Sequence, residues 1–333
     1  MKTYFFSLSF HHFHMSSTTI STLLFLAQNL NVYIGIPLLI FGVLGGLLNI
    51  IVFLSLKTFR ESPCAFYLTV MSFTNVGQLM TGLLTRIVTY TTGINWTLLS
   101  VIYCKFRWYL LDVFELTSYT CICLATIDQF LATSSKIQWQ RYSNIKFSRY
   151  LCLIFIILWI LVEIPILIYY EHILSATTGR ISCALTNPIY QIYFSYIHLL
   201  IFSGILPVIF TAFIGLLAIR NIRQIPYRTV PLIRRELDKQ LTAMVLIQVI
   251  FNFTNLAPTV IYNLTIPNIT IPNDPLINSI LQLISTIIIC LYYSYFAVNN
   301  QLNRKKMKNL FIVMYFRAHS IFIFVHRNVF DNN

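Results

Sequence analysis

Seven stretches of this chain are each long and apolar enough to cross a lipid bilayer: Val32–Leu56, Cys64–Tyr90, Val101–Ser134, Tyr150–Tyr170, Ile189–Ile219, Leu241–Leu264 and Pro275–Val298. About 20 apolar residues in a helix span roughly 30 Å of hydrocarbon. Backbone in lipid must satisfy its own hydrogen bonds, so runs this continuous are expected to be helices and not the short alternating strands of a membrane barrel. Composition excludes the soluble alternatives. Of the 333 residues 57% are hydrophobic and 10% charged, against roughly 25% charged in a soluble domain. Holding that apolar surface in water would cost about 25 cal/mol per Å². A soluble enzyme, a coiled coil and a disordered chain are all ruled out. The connections are short, so the expected fold is all-α: one seven-transmembrane helix bundle over residues 32–298, after an N-terminal segment 1–31 and before a tail 299–333.

The charge distribution predicts how the bundle sits. Eighteen of the 23 lysines and arginines fall in alternate connections and the tail, from Lys57 and Arg60 through Arg141, Lys146, Arg228 and Lys239 to Lys305 and Arg327. Five fall on the other side: Lys2, Arg86, Lys105, Arg107 and Arg180. That bias places the C-terminus in the cytoplasm and the N-terminus outside, in a multi-pass protein of the cell membrane. The net charge of +13 then reflects topology and attraction to anionic membrane lipid, and calls for no nucleic acid. Glycosylation acceptor tripeptides at Asn95, Asn263 and Asn268 fall at or near the outer side, whereas the one at Asn252 lies inside a span. The first 30 residues carry His11, His12 and His14 without a clear signal-peptide pattern. They are not expected to form a metal site.

Several local patterns recur along the spans in a fixed order. The first span carries Gly45-Gly46-Leu47-Leu48-Asn49. The third opens with Cys104 and closes with Asp128. Trp159 sits in the fourth, Pro207 in the fifth and Pro258 in the sixth, and a basic segment Asn303–Phe311 follows the seventh. Taken singly, the Trp suits an interface anchor, the prolines are tolerated in membrane helices, and Gly42-x-x-x-Gly46 suits close helix approach. Taken together, from about Pro37 to Leu310, their order and spacing resemble the rhodopsin-like (class A) G-protein-coupled receptors, of which this would be a divergent member. The resemblance implies a short amphipathic eighth helix at 303–311, an extracellular ligand and a heterotrimeric G protein as partners. It also implies a disulfide between Cys104 and Cys183, which fall at the oxidising outer face. The other five cysteines are expected to be buried thiols.

The same resemblance marks switch positions, and the chain departs at most of them. The family's Asp-Arg-Tyr reads Asp128-Gln129-Phe130, so the charge-assisted bonds of an Arg are not available. Asp238 stands where the family often pairs an acid with that Arg. The sixth-span Cys-Trp-x-Pro reads Asn255-Leu256-Ala257-Pro258, and the seventh-span Asn-Pro-x-x-Tyr reads Tyr292-Tyr293-Ser294-Tyr295-Phe296. No Asp stands beside Gly77, where the family binds sodium, although Asn75 and Gln78 flank it. A hard cation wants several oxygens, so no tight sodium site is expected. Switching is expected through Asp128, Gln129, Phe130, Asp238, Asn255, Pro258, Tyr292 and Tyr295. A receptor-like protein with little G-protein coupling is the alternative.

For the ligand, Asp112 and Glu115 are three residues apart on one helical face, and intramembrane carboxylates usually face the bundle interior. Glu163 and Arg86 are further candidates. They read either as an internal Arg86–acid pair that holds the bundle or as recognition of a cationic ligand group. Leu111 stands where amine receptors place their Asp, which counts against amines. Tyr193 and Tyr196, with Tyr190 and His198, give a polar-aromatic lining suited to a peptide, with a small molecule as the other option. A seven-helix transporter or channel would favour two matching halves, and no internal repeat is seen. No His-Glu-x-x-His and no convincing Ser/His/Asp set is present, so no enzyme, cofactor or metal ligand set is expected.

Overall fold

Helix boundaries follow from capping chemistry at most of the spans. The computed structural model describes residues 17–55, 57–134, 136–174, 181–224, 250, 253–255, 257–266 and 274–299. The second helix begins at Pro63, where a missing N–H is harmless, with Ser62 accepting from the Ala65 N–H. It runs as Pro63–Gln78, passes through a π-helical turn Leu79–Leu83 and continues as Leu84–Thr92. It stops at Gly93, whose φ of 72° suits a glycine helix end. Asn95 caps the short helix Trp96–Leu99, and Ser100 caps the third helix, Val101–Thr133. Asn144 caps Ile145–Val162, and Asn187 followed by Pro188 starts the fifth helix.

Besides the π-turn of the second helix, the fourth and fifth spans are interrupted, and both of these interruptions place a polar side chain inside. In the fourth, Pro165 has no N–H for the carbonyl of Leu161, and the helix breaks at Glu163 before resuming as Ile164–Tyr169. In the fifth, Pro188–Tyr193 leads into a π-helical stretch Phe194–Ile205, followed by Leu206–Gln224. That stretch ends just before Pro207, which cannot donate to the carbonyl four residues back. The sixth helix is described at residues 253–255 and 257–265. The seventh, Pro275–Asn299, has no proline in its interior and runs unbroken. Among the described residues, five helices have the length and hydropathy of a membrane span. With the second and sixth they make the expected seven-helix bundle.

The third helix is the axis. Its most apolar window is 72% buried, against 17% in the fourth. Three layers of side chains surround it. At the Asp128 end Cys64, Leu68, Met71, Ile122 and Cys152 pack together. Leu79, Leu83, Tyr119, Tyr293 and Phe296 fill the middle, and Cys104, Ile166, Tyr170, Tyr190 and Phe194 fill the other end. Small residues allow close approach: a Cβ on Gly42 would meet Ala297 Cβ at 2.9 Å, and one on Gly82 would run into the Tyr293 hydroxyl.

The structure departs from the sequence expectation in two places. The first helix starts at Ser17, not near Val32, and runs unbroken to Ser55; nothing in Thr18–Leu30 breaks a helix. Tyr170–Leu174 (β1) and Ile181–Leu185 (β2) form an antiparallel pair, with His172 opposite Cys183, a strand element absent from the all-α expectation. Arg86 and Arg107 lie within helices, as their spans implied, and line the bundle cavity. Asp238, Asn268 and the eighth helix at 303–311 lie outside the described residues.

Candidate functional site

Helical spacing on the third helix builds one wall of a cavity. Arg107, Leu111 and Glu115 recur every four residues, with Trp108 and Asp112 beside them, so all five project to one side. The second helix adds Arg86, the fifth Phe194, Ser195 and Ser203, the sixth Thr259 and Asn263, and the seventh Ile289, Tyr292 and Tyr293. The cavity holds about 500 Å³, within the ordinary range for ligand sites. Its roof is the β1–β2 pair. Cys183 on β2 is bonded to Cys104 at the head of the third helix, and His172 Nε2 lies 2.7 Å from the Thr97 carbonyl oxygen. The disulfide implied by the resemblance is present.

Among the described residues neither arginine has a carboxylate within 4 Å. The expected Arg86–acid pair is not formed: Arg86 Nε donates to Asn31 Oδ1 at 2.8 Å, and Asn31 Nδ2 reaches Thr286 Oγ1 at 3.3 Å. Those contacts tie the second helix to the first and seventh. Arg107 Nε and Nη2 donate to the carbonyls of Thr81 and Gly82 at 3.2 and 3.4 Å. Both carbonyls belong to the π-turn, whose widened register exposes backbone oxygens. Each guanidinium also rests near a ring, Arg86 over Tyr90 and Arg107 over Trp108.

The acids of the wall are committed differently. Tyr292 Oη donates to Glu115 Oε2 at 2.7 Å, and Gln78 Nε2 donates to Tyr292 Oη at 2.7 Å. A buried chain of hydrogen bonds thus joins the third, seventh and second helices under the cavity. Ser118 Oγ donates to Asn75 Oδ1 at 2.6 Å one turn deeper. Asp112 is 4% exposed, and its Oδ2 has no hydrogen-bond partner.

The remaining expected residues are spread over the bundle. Glu163 lies behind the cavity wall, its Oε1 3.3 Å from His198 Nε2. Tyr193 packs against Tyr190 and Tyr196 is largely exposed; neither borders the cavity. Asn255 accepts from Ser294 Oγ at 3.2 Å, linking the sixth and seventh helices next to Pro258. Tyr295 packs on Tyr119. At the far end Ser143 Oγ donates to Asp128 Oδ1 at 2.7 Å, Gln129 is buried, and Phe130 meets Trp139 edge to face. Asn95 caps its short helix, its Oδ1 accepting from the Thr97 N–H and hydroxyl. Asn263 borders the cavity.

Sequence reasoning missed Arg107, Trp108 and Phe194 as cavity residues. The four-residue spacing from Arg107 through Leu111 to Glu115 was the available signal.

A family model described as "7 transmembrane receptor (rhodopsin family)" matches residues 45–300, well over half of the chain. No curated protein matches the chain.

Proposed function

The chain belongs to the rhodopsin family of seven-transmembrane receptors, and from that premise we propose that it binds an extracellular peptide in the cavity beside Glu115 and signals to a heterotrimeric G protein. Members of this family are receptors of the plasma membrane that couple ligands to G proteins. The excess of basic residues at the Asp128 end supports an orientation with that end in the cytoplasm and the disulfide outside.

The observation that carries the reading is the chain Gln78–Tyr292–Glu115, because Glu115 and Tyr292 both border the cavity. A ligand group that competes for Glu115 changes the bonds of the seventh helix directly. Arg86 and Arg107 favour a carboxylate on the ligand and Asp112 a cationic group, and a peptide terminus with its side chains supplies both.

The test is a peptide screen on cells producing the full chain, read by G-protein dissociation. We expect a response that Glu115→Gln weakens at least about tenfold, the loss of roughly one charged hydrogen bond. Gln129 gives a second reading a specific footing, since an amide replaces the Arg of the usual switch. Silence of the wild type with a response restored by Gln129→Arg would favour a receptor-like protein with little coupling. Peptide-evoked ion flux without G-protein dissociation would favour a channel or transporter.

A further inference from the structure

Against the cavity wall, three helices bring Asp112, which the ligand-binding reading uses, together with Glu163 and His198, which it does not. Asp112 comes from the third helix, Glu163 from the interruption of the fourth and His198 from the π-helical stretch of the fifth. They are 4%, 1% and 1% exposed. One ligand-type atom from each lies within 4.8 Å of the other two. Asp112 Oδ2, Glu163 Oε1 and both His198 ring nitrogens have no hydrogen-bond partner, although Glu163 Oε1 stands 3.3 Å from His198 Nε2. Unsatisfied buried carboxylates are costly inside a membrane and are normally paired or bound to a metal. Here no lysine or arginine lies within ion-pair distance among the described residues.

We propose that Asp112, Glu163 and His198 form a binding site for a divalent cation of the Zn²⁺ type. Two carboxylates and a neutral imidazole balance a charge of two. One nitrogen and two oxygens with a fourth position open suit zinc, whereas calcium takes six to eight oxygens. Zinc–ligand bonds of about 2.1 Å in a tetrahedron put ligand atoms about 3.4 Å apart, close to the separation of Glu163 and His198. Each ligand is held for the task. The helix break at Glu163, beside which Tyr109 Oη donates to the Ile160 carbonyl at 3.0 Å, sets that carboxylate inward. The His198 ring stacks on Phe194 at 4.7 Å and 9°, which fixes the imidazole plane. Asp112 also borders the cavity, so an ion has a way in and occupies an oxygen otherwise open to the peptide. An ion and a cationic ligand group would compete for Asp112, and the test below uses the ion alone, so its outcome is separate from that of the peptide screen.

The test is Zn²⁺ titration of the purified full-length protein in lipid nanodiscs, by competition with a chromogenic chelator and by thermal melting. One Zn²⁺ per chain is expected, with a rise in melting temperature that Mg²⁺ does not reproduce. His198→Ala and Glu163→Gln should each weaken binding by more than the roughly 10–100-fold cost of losing an outer-shell partner. His198→Cys, a thiolate in place of the imidazole, should keep a site and shift its preference toward Cd²⁺. Replacing His11, His12 and His14 by Ala should leave the bound ion in place. Absence of Zn²⁺ uptake by the wild type at millimolar concentration would overturn the proposal. So would unchanged binding in a folded His198→Ala protein, or loss of the ion in the N-terminal variant.

Discussion

The two ends of this bundle handle buried polarity in opposite ways. At the disulfide end, Arg86, Arg107, Asp112 and Glu115 border a cavity, and a covalent bond and a strand pair hold its roof. At the Asp128 end the usual guanidinium is replaced by the amide of Gln129, and Asp128 accepts a hydroxyl from Ser143. Yet the described helices at that end still pack around a shared cluster of Cys64, Leu68, Met71 and Ile122. The difference teaches that the family's architecture is carried by apolar packing and small-residue contacts. The charged switch chemistry can be exchanged without disturbing it.

The severest challenge to that contrast is Cys104→Ser. Loss of a bond across a sequence separation of 79 should cost about 4 kcal/mol in the chain-entropy model, read as a large drop in melting temperature and surface expression. Gly82→Val comes next. A side chain there meets the Tyr293 hydroxyl and Leu111, and overpacking should cost about 1–3 kcal/mol, measured by thermal unfolding in detergent. Tyr292→Phe leaves Glu115 and Gln78 each short of a partner, worth about 1–3 kcal/mol, and should also alter peptide-evoked signalling. Ser143→Ala should be mildest, about 1 kcal/mol. If Ser143→Ala proved more damaging than Tyr292→Phe, polar bonding at the Asp128 end would matter more than packing, and the contrast between the ends would fail.

Much of the architecture was legible because lipid imposes a simple rule: long apolar runs become helices. Cys104 and Cys183, Asp112 and Glu115 were identifiable for related reasons, since the first two fall at one face and the second two share a helical turn. What stayed hidden depended on the setting of one helix against another. Arg86 finds Asn31 of the first helix and not an acid, and no spacing within the second span signals this. Tyr196 turns away from the cavity although it neighbours residues that border it, because the π-helical register of Phe194–Ile205 changes the angular step between side chains. His198 and Glu163 meet for the same reason, across two interrupted helices of which the sequence reading singled out only Pro207. The strand pair of 170–185 was too short to stand out beside spans five times its length.

The length of the third helix has a mechanical consequence. Its 33 residues at about 1.5 Å each extend about 50 Å, well beyond about 30 Å of hydrocarbon, so the rod leans or protrudes. Asp112 and Asp128 ride on this one stiff rod, separated by about 24 Å at that rise. Pivoting it by about 5° around Asp112 would sweep Asp128 sideways by about 2 Å, given that lever arm. The same rod thus puts the cavity wall and the Asp128 end at the two ends of one lever.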